Sequence, residues 1–182
     1  MKRYAYKRTY QWSPSIAYSV GLITSDGTLS KDGRHIDLTS TDREQLINFC
    51  DAIQKQVPIT KKNLKQPIGW KCAFRVQFSD VGYYDFLISA GLMPNKSKIL
   101  KEIRIPSLYW EHFLRGLFDG DGCITGGYDK RWKSSFSFVL SIASASKAFL
   151  ETVQANNIRY FGVAGGSISK GKNVYRLAYG KR

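Results

Sequence analysis

The chain is poor in the residues that build compact metal and disulfide sites, with 3 cysteines and 2 histidines in 182 residues. Cys50, Cys72 and Cys123 are an odd number with no short paired spacing. That argues against a disulfide framework or a zinc site and for a reducing, intracellular setting whose compartment is open. His35 and His112 make no His-Asn-His or zinc-ligand pattern and read as a sheet-face residue and a helix residue. No apolar run approaches the roughly 18 residues of a membrane span. Met1-Lys2-Arg3-Tyr4 begins basic but leads into no apolar stretch, so no signal peptide is expected. Acidic residues are scarce as well: 14 Asp and Glu face 28 Lys and Arg, a net charge of +14. Such an excess asks for a polyanionic partner. The basic residues fall mostly in loops and strands rather than along one amphipathic helix, which favours nucleic acid over a membrane surface.

What the chain does have is a hydrophobic content of 43%, spread along its whole length, enough for a core in one domain or two small joined ones. It also repeats itself. Residues 19–27, Ser-Val-Gly-Leu-Ile-Thr-Ser-Asp-Gly, resemble residues 114–122, Leu-Arg-Gly-Leu-Phe-Asp-Gly-Asp-Gly. Ser13-Pro14 precedes the first and Pro106-Ser107 the second, in keeping with a helix start. Each ends in Asp-Gly, and Gly is favoured just past a helix C-terminus. Downstream, strands are expected at 28–30 and 34–40 in the first copy and at 123–125 and 136–144 in the second. Helices follow at 43–54 and 147–156, capped by Asp42 and Ser146. Strands with alternating polarity come next at 73–79 and 174–180. The first copy adds a helix at 83–92. The second stops where its equivalent would begin.

The paired motifs resemble those of the LAGLIDADG homing endonucleases. Leu114, Gly116, Leu117, Asp119, Asp121 and Gly122 match the signature in the second copy, and Gly21, Leu22, Ile23, Asp26 and Gly27 in the first. The motif aspartates lie 95 residues apart. The resemblance implies an α+β fold of two pseudo-symmetric αββαββ(α) repeats, each with a curved antiparallel sheet, the sheets forming a DNA-binding saddle. The first repeat would span 1–93, the linker 94–106 and the second repeat 107–182, truncated at its last helix. The motif helices would pack side by side, with Gly21 and Gly116 permitting close approach. The implied activity is site-specific cleavage of double-stranded DNA by a monomer at a long pseudo-palindromic site.

Asp26 and Asp121 are the expected metal-binding and catalytic residues. Carboxylates at two helix C-termini, where dipoles favour cations, would hold divalent metal for phosphodiester hydrolysis. Mg²⁺ suits such a set of few hard oxygen ligands, with Mn²⁺ as a substitute and Ca²⁺ as a non-cleaving one. By resemblance, main-chain oxygens of Ser25 and Gly120 add ligands, and Lys96 in Gly91-Leu92-Met93-Pro94-Asn95-Lys96-Ser97 stabilises phosphate charge. A surface lysine beside Lys98 and Lys101 is the plainer reading of Lys96. Asp119, matched by Thr24 in the first copy, reads as structural. Ser40 and Ser144 occupy matching places before the second helices, where helix-start chemistry or the metal's water network explains them.

Strand alternation assigns the DNA face. Trp70, Cys72, Phe74, Val76 and Phe78 form a core side, as do Phe136, Phe138, Leu140 and Ile142. Lys71, Arg75, Gln77 and Ser79 face away, as do Lys133, Ser135, Ser137 and Ser141. Arg176 matches Arg75, with Lys170 and Lys172 on the same parity. Arg, Gln and Ser suit base edges in the major groove. Lys130, Arg131 and Lys133, and the run Lys61-Lys62-Asn63-Leu64-Lys65, suit phosphates. The alternatives are an intron RNA-splicing maturase and a non-cleaving DNA-binding regulator of the same fold. The regulator reading expects a lost motif aspartate, and both are present.

Overall fold

The computed structural model describes residues 8–62, 72–128 and 134–181. They fall into two compact units, Met1–Asn95 with Ile103–Gly120, and Lys96–Glu102 with Asp121–Arg182. No helix among the described residues is long and apolar enough to cross a membrane.

In the first unit the order is α1 (Pro14–Ser25), β1 (Gly27–Leu29), β2 (His35–Ser40), α2 (Arg43–Ala52), β3 (Thr60–Lys61), β4 (Phe74–Ser79) and α3 (Val81–Ser89), joined by α4 (Trp110–Asp121) up to Gly120. Helix starts follow local chemistry. Ser13 Oγ accepts from Ile16 N at 3.2 Å ahead of Pro14, Asp42 accepts from Glu44 N at 2.9 Å, and Asp80 accepts from Tyr83 N at 2.9 Å. Each satisfies an N–H that the first turn leaves orphaned. The antiparallel sheet has the order β1-β2-β4-β3. Leu29, Ile36 and Phe78 share one register row, and Leu38 and Val76 the next. All five are buried, beneath Leu46 and Phe49 of α2 and Tyr83 and Leu87 of α3. Each such side chain contributes about 1.5–3 kcal/mol on removal from water.

The nine buried residues of α1, Ile16 to Thr24, mark it as a central helix. It packs backbone to backbone on α4. A Cβ on Gly21 would lie 2.3 Å from Phe113 O, and one on Gly116 2.1 Å from Tyr18 O. Any side chain at either position would force the helices apart. The expected start of α4 at Pro106-Ser107 is corrected: Ser107–Tyr109 forms a 3-10 turn, and α4 proper begins at Trp110.

The second unit holds β5 (Gly122–Tyr128), β6 (Phe136–Ser144), α5 (Lys147–Phe161), β7 (Ser167–Lys170) and β8 (Tyr175–Lys181), in the sheet order β5-β6-β8-β7. This is the order of the first unit again, so the repeat read in the sequence is a repeat of topology. Ser146 Oγ caps α5 through Phe149 N at 3.3 Å, and Gly162 closes it in the left-handed region at φ 66°. Residues 96–102 belong here: a 3-10 turn, Lys96–Lys98, is followed by Leu100, buried, whose carbonyl accepts from Ser146 Oγ.

Two core expectations are corrected. Of Phe136, Phe138, Leu140 and Ile142, only Ile142 is buried, with Leu177 beneath Phe149, Leu150 and Val153 of α5. Phe136 is 56% exposed and Phe138 42%. The alternation correctly places the four on one face, but α5 covers only one end of it. Cys72 is exposed rather than part of the core, because β4 begins at Phe74. Trp70 lies outside the described residues.

Candidate functional site

Asp26 is the C-cap of α1, its N–H donating to Leu22 O at 3.0 Å, and its side chain is half-buried. The last turn of α4 lies against it. A Cβ on Gly120 would meet Ser25 Oγ at 2.0 Å and Asp26 Oδ2 at 3.0 Å, so only glycine admits the carboxylate this close to that backbone. The terminal carbonyls of a helix carry partial negative charge. A carboxylate beside them makes a local sink for cations.

A cavity of about 340 Å³ opens there, lined by Asp26, Thr39, Ser40, Thr41, Asp42, Gln45, Ala73, Asp119 and Gly120. Its walls are polar for a local reason. The end of β2 and the start of α2 must serve orphaned N–H groups, and Ser40 Oγ accepts from Asp42 N at 3.0 Å. Ser144 makes the same turn in the second unit, accepting from Ser146 N at 3.2 Å. Gln45 Nε2 reaches across from α2 and donates to Asp119 O at 2.8 Å. The Asp119 carboxylate is engaged elsewhere: Tyr18 OH donates to it at 2.9 Å, and Arg115 Nε lies 3.9 Å away. Burial, reinforced by that hydrogen bond, pushes the Tyr18 pKa up to about 12, so the phenol stays a donor at neutral pH.

Asp121 ends α4 and is half-buried, immediately before β5. Lys96 is buried at 5% exposure, whereas Lys98 and Lys101 are exposed. The plain surface-lysine reading is therefore corrected, since the 3-10 turn carries Lys96 inward. Gln45 and Asp42 line the cavity and were not singled out from the sequence as site residues. The available signal was helical spacing, which puts Gln45 four residues before buried Phe49.

On the first sheet's opposite face, Thr28, Asp37 and Gln77 share one row, and Thr39, Arg75 and Thr60 the next. Arg75 pairs with Asp37. His35, also on this strand, pairs with Asp32, and the hydrogen bond from His35 holds the Asp32 carboxyl down to a pKa of about 2. On the second sheet the corresponding face carries Cys123, Thr125, Gly127, Ser137, Val139, Ser141, Ala178 and Gly180, with Arg176 beside Ser169 at one end. Ser135 precedes β6 and is exposed. Lys170 pairs with Tyr175, so it lies on the face opposite Arg176, and Lys172 sits in the turn between β7 and β8. The expectation that both lysines share Arg176's face is corrected, because side-chain parity does not carry through a turn. Lys71, Lys130, Arg131 and Lys133 lie outside the described residues.

Residues 111–178 match the family model of the LAGLIDADG-like domain. The whole chain has the LAGLIDADG fold. It superposes on full-length DUF199/WhiA from Thermatoga maritima with a TM-score of 0.58 at 18% identity, covering 94% of this chain and 52% of that one. It superposes on the homing endonuclease I-WcaI bound to its DNA recognition sequence with a TM-score of 0.65 at 19% identity, covering 93% and 76%. For I-DmoI in complex with DNA and Mn the TM-score is 0.53 at 18% identity, covering 91% and 88%. The chain thus spans about half the length of the WhiA protein. No curated protein matches the sequence.

Proposed function

We propose that the protein is a site-specific endonuclease that hydrolyses double-stranded DNA with a divalent metal ion, at a long and nearly palindromic site. The observation that carries this reading is Asp26, held at the end of α1 against the glycine backbone of α4 in a polar cavity. The second motif places Asp121 at the end of α4 itself. Structural relatives include a homing endonuclease on its DNA site and one with DNA and Mn, which supports DNA as partner and divalent metal as cofactor.

The donor set fits a hard cation. Around Asp26 it is all oxygen: a carboxylate, the hydroxyls of Thr39, Ser40 and Thr41, and main-chain carbonyls. An ion held here would take few protein oxygens and draw the rest of its ligands from solvent and substrate, the habit of Mg²⁺. Asp26 and Asp121 would each hold an ion, with main-chain oxygens of Ser25 and Gly120 as further donors. When bound, such an ion polarises the phosphate and acidifies a coordinated water. The chain's own residues do the rest. Gly21 and Gly116 fix the helices that aim the carboxylates. Tyr18 holds Asp119. Lys96 supplies positive charge to the developing phosphate. Arg75, Gln77 and Arg176 meet base edges or phosphates, and the +14 net charge draws the duplex in.

The test is incubation with a randomised duplex library in Mg²⁺ and, separately, Ca²⁺, followed by sequencing of the ends. Discrete cuts in Mg²⁺ within one long site are expected. Enrichment of bound duplex without cuts overturns the nuclease reading in favour of a DNA-binding regulator. No enrichment at all moves the function to RNA.

A further inference from the structure

The polar face of the first sheet carries a carboxylate, in a chain whose net charge of +14 draws in a polyanion. Asp37 stands on β2 in the row of Thr28 and Gln77, both exposed. A phosphate backbone repels a carboxylate at that place, and a neutral side chain would serve a solvated strand as well. Both Asp37 oxygens are engaged. Thr39 Oγ1 donates to Oδ1 at 3.1 Å, and Arg75 Nε donates to Oδ2. Lys62 Nζ donates in turn to Thr39 Oγ1 at 3.3 Å. An ammonium can only donate, so the Thr39 hydrogen is left for the carboxylate. One chain of bonds thus runs from Lys62, just past β3, through Thr39 and Asp37 of β2 to Arg75 of β4.

The presentation of Arg75 follows from this. A guanidinium holds five N–H donors in a fixed planar fork. The bond to Asp37 uses the donor on Nε, and the four terminal donors are not part of it. Holding Nε orients the plane, and the terminal pair is the fork that meets guanine O6 and N7. Arg75 is carried by β4, which lies between β2 and β3 in the sheet. Its side chain is 33% exposed against 19% for Asp37, so the supporting group is the more buried of the two and the presented group the more open. A side chain ordered before binding loses less freedom when it binds.

We propose that Asp37 is a positioning residue for base readout, holding Arg75 so that its terminal nitrogens read a guanine in the major groove. The proposal rests on the DNA-binding part of the function proposed above and not on cleavage.

The experiment is binding selection from a randomised duplex library in Ca²⁺, run on the intact chain and on Asp37→Ala, Asp37→Glu and Arg75→Ala. The parent chain should enrich a G·C pair that Arg75→Ala no longer selects. Asp37→Ala should lose discrimination at that same pair by about 5-fold or more and keep it at the other positions. Its affinity should also fall more steeply with salt, because an Arg75 released from its partner turns to phosphate. Asp37→Glu, which keeps a carboxylate within reach, should restore part of the preference. An ion pair that only ties β2 to β4 would lower the melting temperature and leave the sequence preference alone. A folded Asp37→Ala with the parent's preferences therefore overturns the inference. So does a loss at a different base pair, which would mean that Asp37 touches a base itself. Where Asp37→Ala does not fold, Asp37→Asn, which keeps an acceptor for Thr39 and removes the charge, takes the same measurements. A parent chain that enriches no sequence overturns the DNA reading and this inference with it. Enrichment without cuts in Mg²⁺ sinks the nuclease reading and leaves the role of Asp37 standing.

Discussion

The two sheets have the same strand order and opposite surroundings. In the first, the apolar face is closed by α2 and α3 and the other face carries Asp37, Arg75 and Gln77. In the second, much of the apolar face is open, and the other face is nearly all small or neutral side chains. The topology repeats while the chemistry of both faces differs. The motif aspartates share one setting, since each stands at the junction between a helix and a strand. On the proposed nuclease reading, the comparison predicts equal weight for Asp26 and Asp121 and unequal weight for almost everything else. Asp26→Asn and Asp121→Asn should each reduce single-turnover double-strand cleavage by at least about 100-fold, the several kcal/mol that metal-borne stabilisation supplies. Binding in Ca²⁺ should survive. The residual products should be nicks on opposite strands. Undiminished double-strand cutting by either variant would end the assignment.

The next contrast is one of stability. Ile36 and Leu140 occupy equivalent register positions, between Leu29 and Phe78 in one sheet and between Ile124 and Tyr179 in the other. Ile36 has no exposed surface and Leu140 is 37% exposed. Ile36→Ala should cost about 2–5 kcal/mol in urea unfolding, and Leu140→Ala under about 1 kcal/mol. The open face, with Ile124 and Tyr128 65% and 70% exposed, should also bind a hydrophobic dye. Phe138→Ser should reduce that fluorescence. Equal costs at the two positions would show the face to be covered.

That contrast marks where the sequence stops being legible. The motif glycines, the Asp-Gly helix ends and the caps Asp42 and Ser146 were readable because each rests on chemistry within a few residues. The faces of β4 and β6 were readable from alternation. Coverage of a face was not, because period 2 says which side chains share a side and not what packs on it. Lys170 was misplaced because parity is lost through the turn at Lys172. Gln45 was invisible because its partner, Asp119 O, is 74 residues away. The divergence of repeats is a tertiary fact, and the sequence shows it only as two strands that alternate equally well.

The polar faces predict uneven readout. A good bidentate contact to a base edge discriminates by about 1–3 kcal/mol, or roughly 5–150-fold. The first sheet offers a guanidinium, an amide and a carboxylate, whereas the described second sheet offers chiefly Arg176. On the proposed reading, scanning every base pair of the cleaved site should find the steeper penalties at the positions that Arg75 and Gln77 contact. Arg75→Ala and Gln77→Ala should relax specificity there. Arg75 is the more informative of the two, because removing it also frees Asp37, which then accepts from a cytosine amino group. Equal penalties at all positions would assign readout to residues outside the two sheets.

The smallest expected effect concerns what holds α3 over the first sheet. Asp80 caps α3 through Tyr83 N and receives hydrogen bonds from Lys55 Nζ at 2.8 Å and Tyr10 OH at 2.9 Å. Burial alone would raise its pKa, but Lys55, the Tyr83 N–H and Tyr10 together outweigh burial and bring it below the usual carboxylate value. A carboxyl whose pKa is lowered by folding adds stability above its unfolded pKa, and that stability fades as pH falls through the folded value. Asp80→Asn keeps a good capping side chain and removes the charge. It should cost about 1 kcal/mol at neutral pH, with the difference from the parent chain shrinking below about pH 4. This acid-sensitive increment comes from Asp80 and its partners in the first unit. Hydrogen exchange followed by unit should show protection falling in acid for the first unit, and Asp80→Asn should flatten that dependence. An equal acid response in both units would mean that the closure of the first sheet does not depend on Asp80.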